Sequence, residues 1–225
     1  MTERSIEDRL REQYFTLLPQ MVRVAEHLKT QVQYSLLPIA RLLTPQENLA
    51  VRVRVKDCTS AIDKLRQYNP LDPSAARNPG GVFDRDLPQM YNLLSLRDLI
   101  GIRVLVFPSR RAIEVDAMLH QVFPDWESDP ILDGGEQLGL KYHGSYSDST
   151  NGLPCEYQIV STLIGLFWEV EHAAIYKQAP TFKAGLPPIM QAQTSHVYRA
   201  LKAFEDEFEH QISRAGVSTA QKGFS

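Results

Sequence analysis

LPCEYQIVSTLIGLFWEVEHAAIYK, residues Leu153 to Lys177, reads as a short strand that runs straight into a helix. Side chains alternate along a strand, so Glu156 and Gln158 share one face while Tyr157 and Ile159 enter the opposite layer. Ser161 is placed to cap a helix predicted to reach about Lys177. Ile164, Trp168, Glu171, His172, Ile175 and Tyr176 then recur at helical spacing and share a broad face. An acidic strand end followed by Glu171-His172 suits a metal-bound phosphate. On this stretch alone, a core strand and helix with satisfied polar groups is the stronger reading.

Upstream, Ala50 to Lys56 (AVRVRVK) alternates strictly. It predicts a half-buried strand with the valines inward and Arg52, Arg54 and Lys56 on the other face. Such cations repel one another unless something anionic lies across them, and a polyphosphate would serve. A solvated edge strand guarded by basic residues is the alternative. A helix predicted from about Ser60 brings Lys64 to the same charge. Residues 68 to 92, rich in Pro, Gly, Asn and Asp, read as a mobile surface loop. From Ile100 to Phe107 both faces are apolar except at Arg103, the pattern of a central strand covered on both sides. Asp98 stands at its entrance. A guanidinium buried there needs a partner to pair or stack with. Asp98 and Arg103 have opposite parity, so a common site requires a bend, with Gly101 the obvious place. Residues 109 to 122 read as a crossover helix. Residues 133 to 152 read as a flexible Gly- and Ser-rich loop in which Tyr142, flanked by Lys141 and His143, is available to stack on a base; taken by itself, an ordinary surface turn is the stronger reading.

The ends are helical. Ile6, Leu10, Tyr14, Leu17, Met21, Val24, Leu28 and Val32 hold a stripe after a Ser5/Asp8 capping box, with a kink expected at Pro19 and an end at Pro38. A last helix from Thr194 to about Ala215 is predicted to bury Val197, Leu201, Phe204, Phe208 and Ile212, to stop at Gly216, and to solvate Glu205-Asp206-Glu207. The 225 residues are 43% apolar, enough for a sizeable core, and the net charge of -3 excludes a global polycation. Cys58 and Cys155 suggest neither a disulfide framework nor a structural zinc site. With no signal core or membrane-length apolar run, the expected location is cytoplasmic.

Three patterns stand in register: R-x-K-x3-S-x3-K at Arg54, Lys56, Ser60 and Lys64; D-x2-G-x-R from Asp98 to Arg103; and E-x-Q-x12-EH-x3-YK from Glu156 to Lys177. Together they resemble the synthetase domain of the RelA/SpoT family, over roughly residues 45 to 180. The resemblance implies an α+β fold, a mixed sheet of about five strands flanked by helices, nucleotidyltransferase-like. It divides the chain into a helical N-terminal extension (1–44), the synthetase-like domain (45–180) and a C-terminal helix and tail (181–225). It implies an ATP-dependent pyrophosphokinase acting on the 3′-hydroxyl of a purine nucleotide, as in (p)ppGpp-type alarmone synthesis, with Mg2+. Arg54 and Arg103 would sandwich the adenine, and Lys56, Ser60 and Lys64 would hold the ATP phosphates. Asp98 would bind the metal, and Glu156 would be a second ligand or the general base. Gln158 and Lys141 would meet the acceptor, Tyr142 would stack on its base, and Glu171 and His172 would support the site from behind.

The departures cluster on the acceptor side. Where the family writes QIRT the chain has Gln158-Ile159-Val160-Ser161, and Tyr146 replaces the later histidine of the acceptor loop. Phe167 takes the usual place of the helix tryptophan, leaving Trp168 one position off. The acceptor is thus left open among GDP, GTP, an adenine nucleotide and the 3′ end of tRNA. The tRNA reading, that of toxin-type relatives, calls for a basic track such as Arg110, Arg111, Arg199 and Lys202, and for an antitoxin partner. A catalytically degenerate binder is the third reading, against which the two retained carboxylates argue. A homo-oligomer is compatible with all three.

Overall fold

The structure, a computed structural model, describes residues 3–67, 81–146, 152–171 and 188–222. Among them six α-helices flank one mixed sheet of six strands. The strands are β1 (Asn48–Val55), β2 (Ile100–Phe107), β3 (Glu127–Ser128), β4 (Ile131–Asp133), β5 (Glu136–Tyr146) and β6 (Leu153–Ser161). They run in the order β1-β2-β6-β5-β3, with β4 paired to β5 beside β3. Only β2 and β6 are parallel, and their crossover carries helix α4 (Arg111–Val122). The α+β architecture expected from the sequence, a mixed sheet flanked by helices, is the one observed.

Helix α1 (Glu3–Ser35) lays its predicted stripe on the sheet, with Ile6, Leu10, Met21, Leu28 and Val32 fully buried. It begins before Ser5, so the expected capping box lies inside the first turn. It also runs unbroken through Pro19, which sits on the exposed side where solvent can satisfy the carbonyl that proline leaves without a partner. Pro38 opens rather than ends a helix, in the first turn of α2 (Leu37–Ala40). Helix α3 (Cys58–Arg66) starts two residues before the predicted point, because Asp57 caps it by accepting from the Ser60 amide at 2.9 Å. α1, α3 and α4 share one hydrophobic core with β2, β6 and the valines of β1.

The opposite face carries α5 (Thr162–Glu171) and α6 (Pro188–Lys222). Ser161 caps α5 as expected, accepting from the Ile164 amide at 3.1 Å. His172, Tyr176 and Lys177 lie outside the described residues. Helix α6 is longer than predicted at both ends and continues through Gly216. Its inward face is also rotated: Tyr198 and Glu205 are buried, whereas Phe204 is exposed and Val197 partly so. Glu205, expected in solvent, abuts the first turn of α5, and Glu209 accepts from Ser109 and the Arg110 amide at the start of α4. A second correction concerns residues 81 to 92, the described part of the expected mobile loop. Phe83 and Tyr91 there are buried against each other, with ring centres 4.8 Å apart.

The third correction is the largest: the expected loop around Tyr142 is β5, an 11-residue strand. Its two internal glycines, which read as loop signals, are there for close approach. A Cβ at Gly139 would come within 2.4 Å of Val160 Cγ1 and 2.8 Å of the Ile159 carbonyl oxygen, and one at Gly144 would strike the Trp126 ring.

Candidate active site

Strand register assembles the site. Arg52, Arg103, Gln158 and Lys141 form one cross-strand row, and Arg54, Gly101, Glu156 and His143 form the next. Residues of both rows share parity, so they face the side of the sheet that carries α5. Gly101 gives the second row a gap: a Cβ there would lie 3.4 Å from Arg54 Nε and 3.6 Å from Glu156 Oε1. The result is a cavity of about 270 Å³ lined by Arg52, Arg54, Gly101, Arg103, Glu156, Gln158 and Glu169.

A chain of polar contacts fixes its wall. Arg103 Nε donates to Gln158 Oε1 at 3.0 Å, and Gln158 Nε2 donates to Glu156 Oε1 at 2.9 Å. Arg54 approaches that same oxygen at 4.0 Å. The Arg103 guanidinium also lies 3.9 Å from Glu169 and 5.5 Å from the centre of the Trp168 ring. Burial, then the neighbouring Arg54 cation, pull the Arg103 pKa below its ordinary value, while Glu169 and Glu156 oppose the shift. The partner required for a buried arginine is thus supplied three times over.

Two residues further along the strands, about 7 Å away by strand geometry, stands a second cluster. Lys56 and Lys64 converge on Asp98 Oδ2 at 2.8 and 2.9 Å. No bend at Gly101 is needed to reconcile Asp98 with Arg103, because Asp98 precedes β2 and heads this neighbouring group. Burial acts to raise the Asp98 pKa, but the two lysines outweigh it and hold the carboxyl at about 2. Ser60, expected at the phosphates, donates its hydroxyl to Asp57 Oδ2 at 2.7 Å at the mouth of α3.

On β5 the predicted acceptor residues separate. Lys141 faces the site and pairs with Asp129 at 2.6 Å. Tyr142 has the opposite parity. It is buried on the α4 side, stacked on Tyr157 with centroids 4.6 Å apart, so it is turned away from any base in the cavity. His143 takes the place facing Glu156: its Nδ1 lies 3.9 Å from Glu156 Oε2, and its Nε2 is 3.2 Å from Asp129 Oδ2. His143 and Glu169 are the site residues that sequence reasoning did not assign. The alternation from Leu138 to Tyr146, once the glycines are allowed in a strand, would have found the first. Glu171 accepts a hydrogen bond from the Tyr198 hydroxyl and so ties α5 to α6; His172 falls outside the described residues.

No group of three His, Cys, Asp or Glu side chains suited to a metal occurs among the described residues. Mg2+ in nucleotide sites needs only one or two carboxylates, because phosphate oxygens and water complete its shell. Asp98 Oδ1 is buried without a hydrogen-bond partner, a donor atom that fits that role. Three members of the expected basic track are already paired. Arg110 and Arg111 are engaged by the buried Glu47, and Lys202 pairs with Glu136 at 2.6 Å. Hydrogen bonds from Arg111 above all keep Glu47 at about 2.

Among known proteins, no family model and no curated sequence matches this chain. Solved structures do. Small alarmone synthetase 1 from Bacillus subtilis superposes with a TM-score of 0.65 over 91% of this chain and 98% of its own, at 16% identity. The same enzyme bound to its product pppGpp gives 0.65 over 91% and 99%, at 14% identity. A GTP pyrophosphokinase family protein from Streptococcus pneumoniae gives 0.57 over 94% and 98%, at 16% identity. The fold is that of a RelA/SpoT-type synthetase domain. It embraces nearly the whole chain, the N- and C-terminal helices included, and not the sheet alone. Among the described residues no helix is long and apolar enough to cross a membrane.

Proposed function

We propose that this protein is an ATP-dependent pyrophosphokinase that transfers the β,γ-pyrophosphoryl group of ATP to the 3′-hydroxyl of a purine nucleotide, GDP or GTP. The observation that carries this reading is the adjacency, on one sheet face, of an arginine-walled cavity and a lysine–aspartate cluster. A flat base fits between guanidinium planes, and a polyphosphate fits ammonium groups. Solved relatives of the same fold are bound to AMPCPP, an ATP analogue, and to pppGpp, which supports the choice of donor and acceptor.

In this reading Arg54 and Arg103 hold the adenine, and Lys56 and Lys64 hold the β- and γ-phosphates. Glu156, positioned by the Gln158 amide, accepts the proton of the acceptor hydroxyl as its oxygen bonds to the β-phosphorus. The bond from that phosphorus to the α,β-bridging oxygen breaks, and AMP leaves with the electron pair. Asp98 would hold Mg2+, which when bound neutralises charge on the phosphate oxygens. Covalent chemistry asks little of the protein here, so alignment and electrostatics carry the rate. Lys141 and His143, beside Gln158 and Glu156, face the acceptor.

The test is incubation of the pure protein with γ-labelled ATP, Mg2+ and, separately, GDP, GTP, AMP, ADP and bulk tRNA. Label in a guanine nucleotide is the expected result. Label in tRNA alone would replace this reading with the toxin type, and label nowhere, with ATP still bound, with a non-catalytic binder.

A further inference from the structure

Glu169 stands in the donor cavity without a role in the transfer just described. It is carried by α5, with its side chain 42% exposed, and one oxygen, Oε1, takes both of its cationic neighbours. Arg52 NH1 donates to that oxygen, and Arg103 NH1 lies 3.9 Å from it. Among the described residues Oε2 has no hydrogen-bond partner. Gln158 Oε1 is engaged by Arg103 and Glu156 Oε1 by the Gln158 amide, and Glu156 serves the acceptor hydroxyl in the reading above. Beside Arg103 the cavity wall therefore offers a base the free oxygen of a carboxylate that Arg52 and Arg103 fix in direction.

We infer that Glu169, oriented by Arg52, selects the donor base by accepting a hydrogen bond from the exocyclic 6-amino group of adenine; this rests on the donor-site reading above. A base sandwiched between Arg54 and Arg103 has its faces taken and presents only its edge to the wall. Adenine has an N–H donor at position 6. Guanine has a carbonyl oxygen there, an acceptor set against an anion, and it must turn to offer its N1 and 2-amino hydrogens, which displaces the attached triphosphate from Lys56 and Lys64. An acceptor that the bound base covers without offering it a donor is costly, and discrimination of this kind exceeds what shape alone provides. Arg52 acts through Glu169 and is a positioning residue.

The probes are ATP, GTP and the triphosphate of purine riboside, which carries hydrogen in place of the 6-amino group, with equilibrium binding as readout so that no acceptor is required. Wild-type protein is expected to bind ATP about 10- to 100-fold more tightly than either analogue, the range of a hydrogen bond to a charged group. In Glu169→Gln the preference for ATP over purine riboside triphosphate shrinks toward unity, because a rotatable amide does not hold a fixed acceptor. In Arg52→Gln it shrinks partway. Equal binding of ATP and purine riboside triphosphate by the wild type overturns this inference and leaves the donor site standing. So does a preference that survives in Glu169→Gln. Binding of none of the three overturns the donor-site reading and this inference with it.

Discussion

Lys56 and Asp98 meet at 2.8 Å, and Lys64 reaches the same carboxylate oxygen at 2.9 Å. Asp98 is thus a buried anion shared by two cations, and removing its charge leaves both lysines facing each other. Asp98→Asn is expected to lower stability by about 2 kcal/mol or more and to abolish transfer. The effect also has a pH signature. The folded pKa of about 2 lies below the ordinary 3.8, so the stabilisation is present above the ordinary value and lost as pH falls through 2. Thermal melts from pH 5 to pH 2 should show that loss in the wild type and not in Asp98→Asn.

Glu205 has the opposite sign. Burial pushes its carboxyl up from 4.5 to about 7, with Ser161 opposing and Glu209 and Asp206 adding to the rise. A group whose folded pKa is raised stabilises the fold most below its unfolded value, and that contribution is lost as pH rises through 7. Glu205→Gln should therefore melt higher than the wild type at pH 8, with the gap closing by pH 5. A wild-type protein that melts lower than the variant by the same margin at both pH values would contradict this.

Glu156→Gln tests the general base. The amide keeps the size and one acceptor but cannot take a proton, so transfer should fall by about 10²- to 10⁴-fold. Binding of AMPCPP, measured by calorimetry, should change little. Full activity in the variant would sink the mechanism.

Tyr142 separates packing from recognition. Its ring lies on Tyr157 in the core, and burial with a hydrogen bond to Asp116 raises its phenol to about 12. Tyr142→Phe should leave the KM for the nucleotide acceptor unchanged, whereas Tyr142→Ala should cost about 3 kcal/mol of stability. A large KM effect in the Phe variant would return this residue to the acceptor site.

Gly139→Ala places a methyl group against Val160 and the Ile159 carbonyl oxygen, the latter a backbone atom with no rotamer to escape into. The expected loss is about 1–3 kcal/mol, visible as a lower Tm. Unchanged stability would mean that β5 and β6 separate there at little cost.

The strands with uniform chemistry were legible from sequence. Alternating valine and cation in β1 and the apolar run of β2 carry their periods openly, and Glu156 with Gln158 stands on one face as strand parity demands. β5 was not legible because Gly139 and Gly144 mimic loop composition while serving close packing. That misreading put Tyr142 in a loop, where orientation is free, when a strand fixes it inward. Likewise α6 was phased on Phe204 and Phe208, although Tyr198 and Glu205 face inward; no apolar period announces a buried carboxylate. His143 and Glu169 stayed hidden because their roles come from register and from a helix crossing, which spacing along the chain does not contain.

Each cation of the RVRVK strand faces a carboxylate of the protein's own: Arg52 with Glu169, Arg54 near Glu156, and Lys56 with Asp98. An arriving triphosphate therefore meets a surface whose charge is already balanced, and at Lys56 and Lys64 its oxygens must share the ammonium groups with Asp98. Net charge neutralised on binding is smaller than the number of cations suggests, so affinity should fall only gently with ionic strength. The site then distinguishes its ligand by geometry, since an anion that cannot reach both lysines while its base stays beside Glu169 gains little over the carboxylate already there.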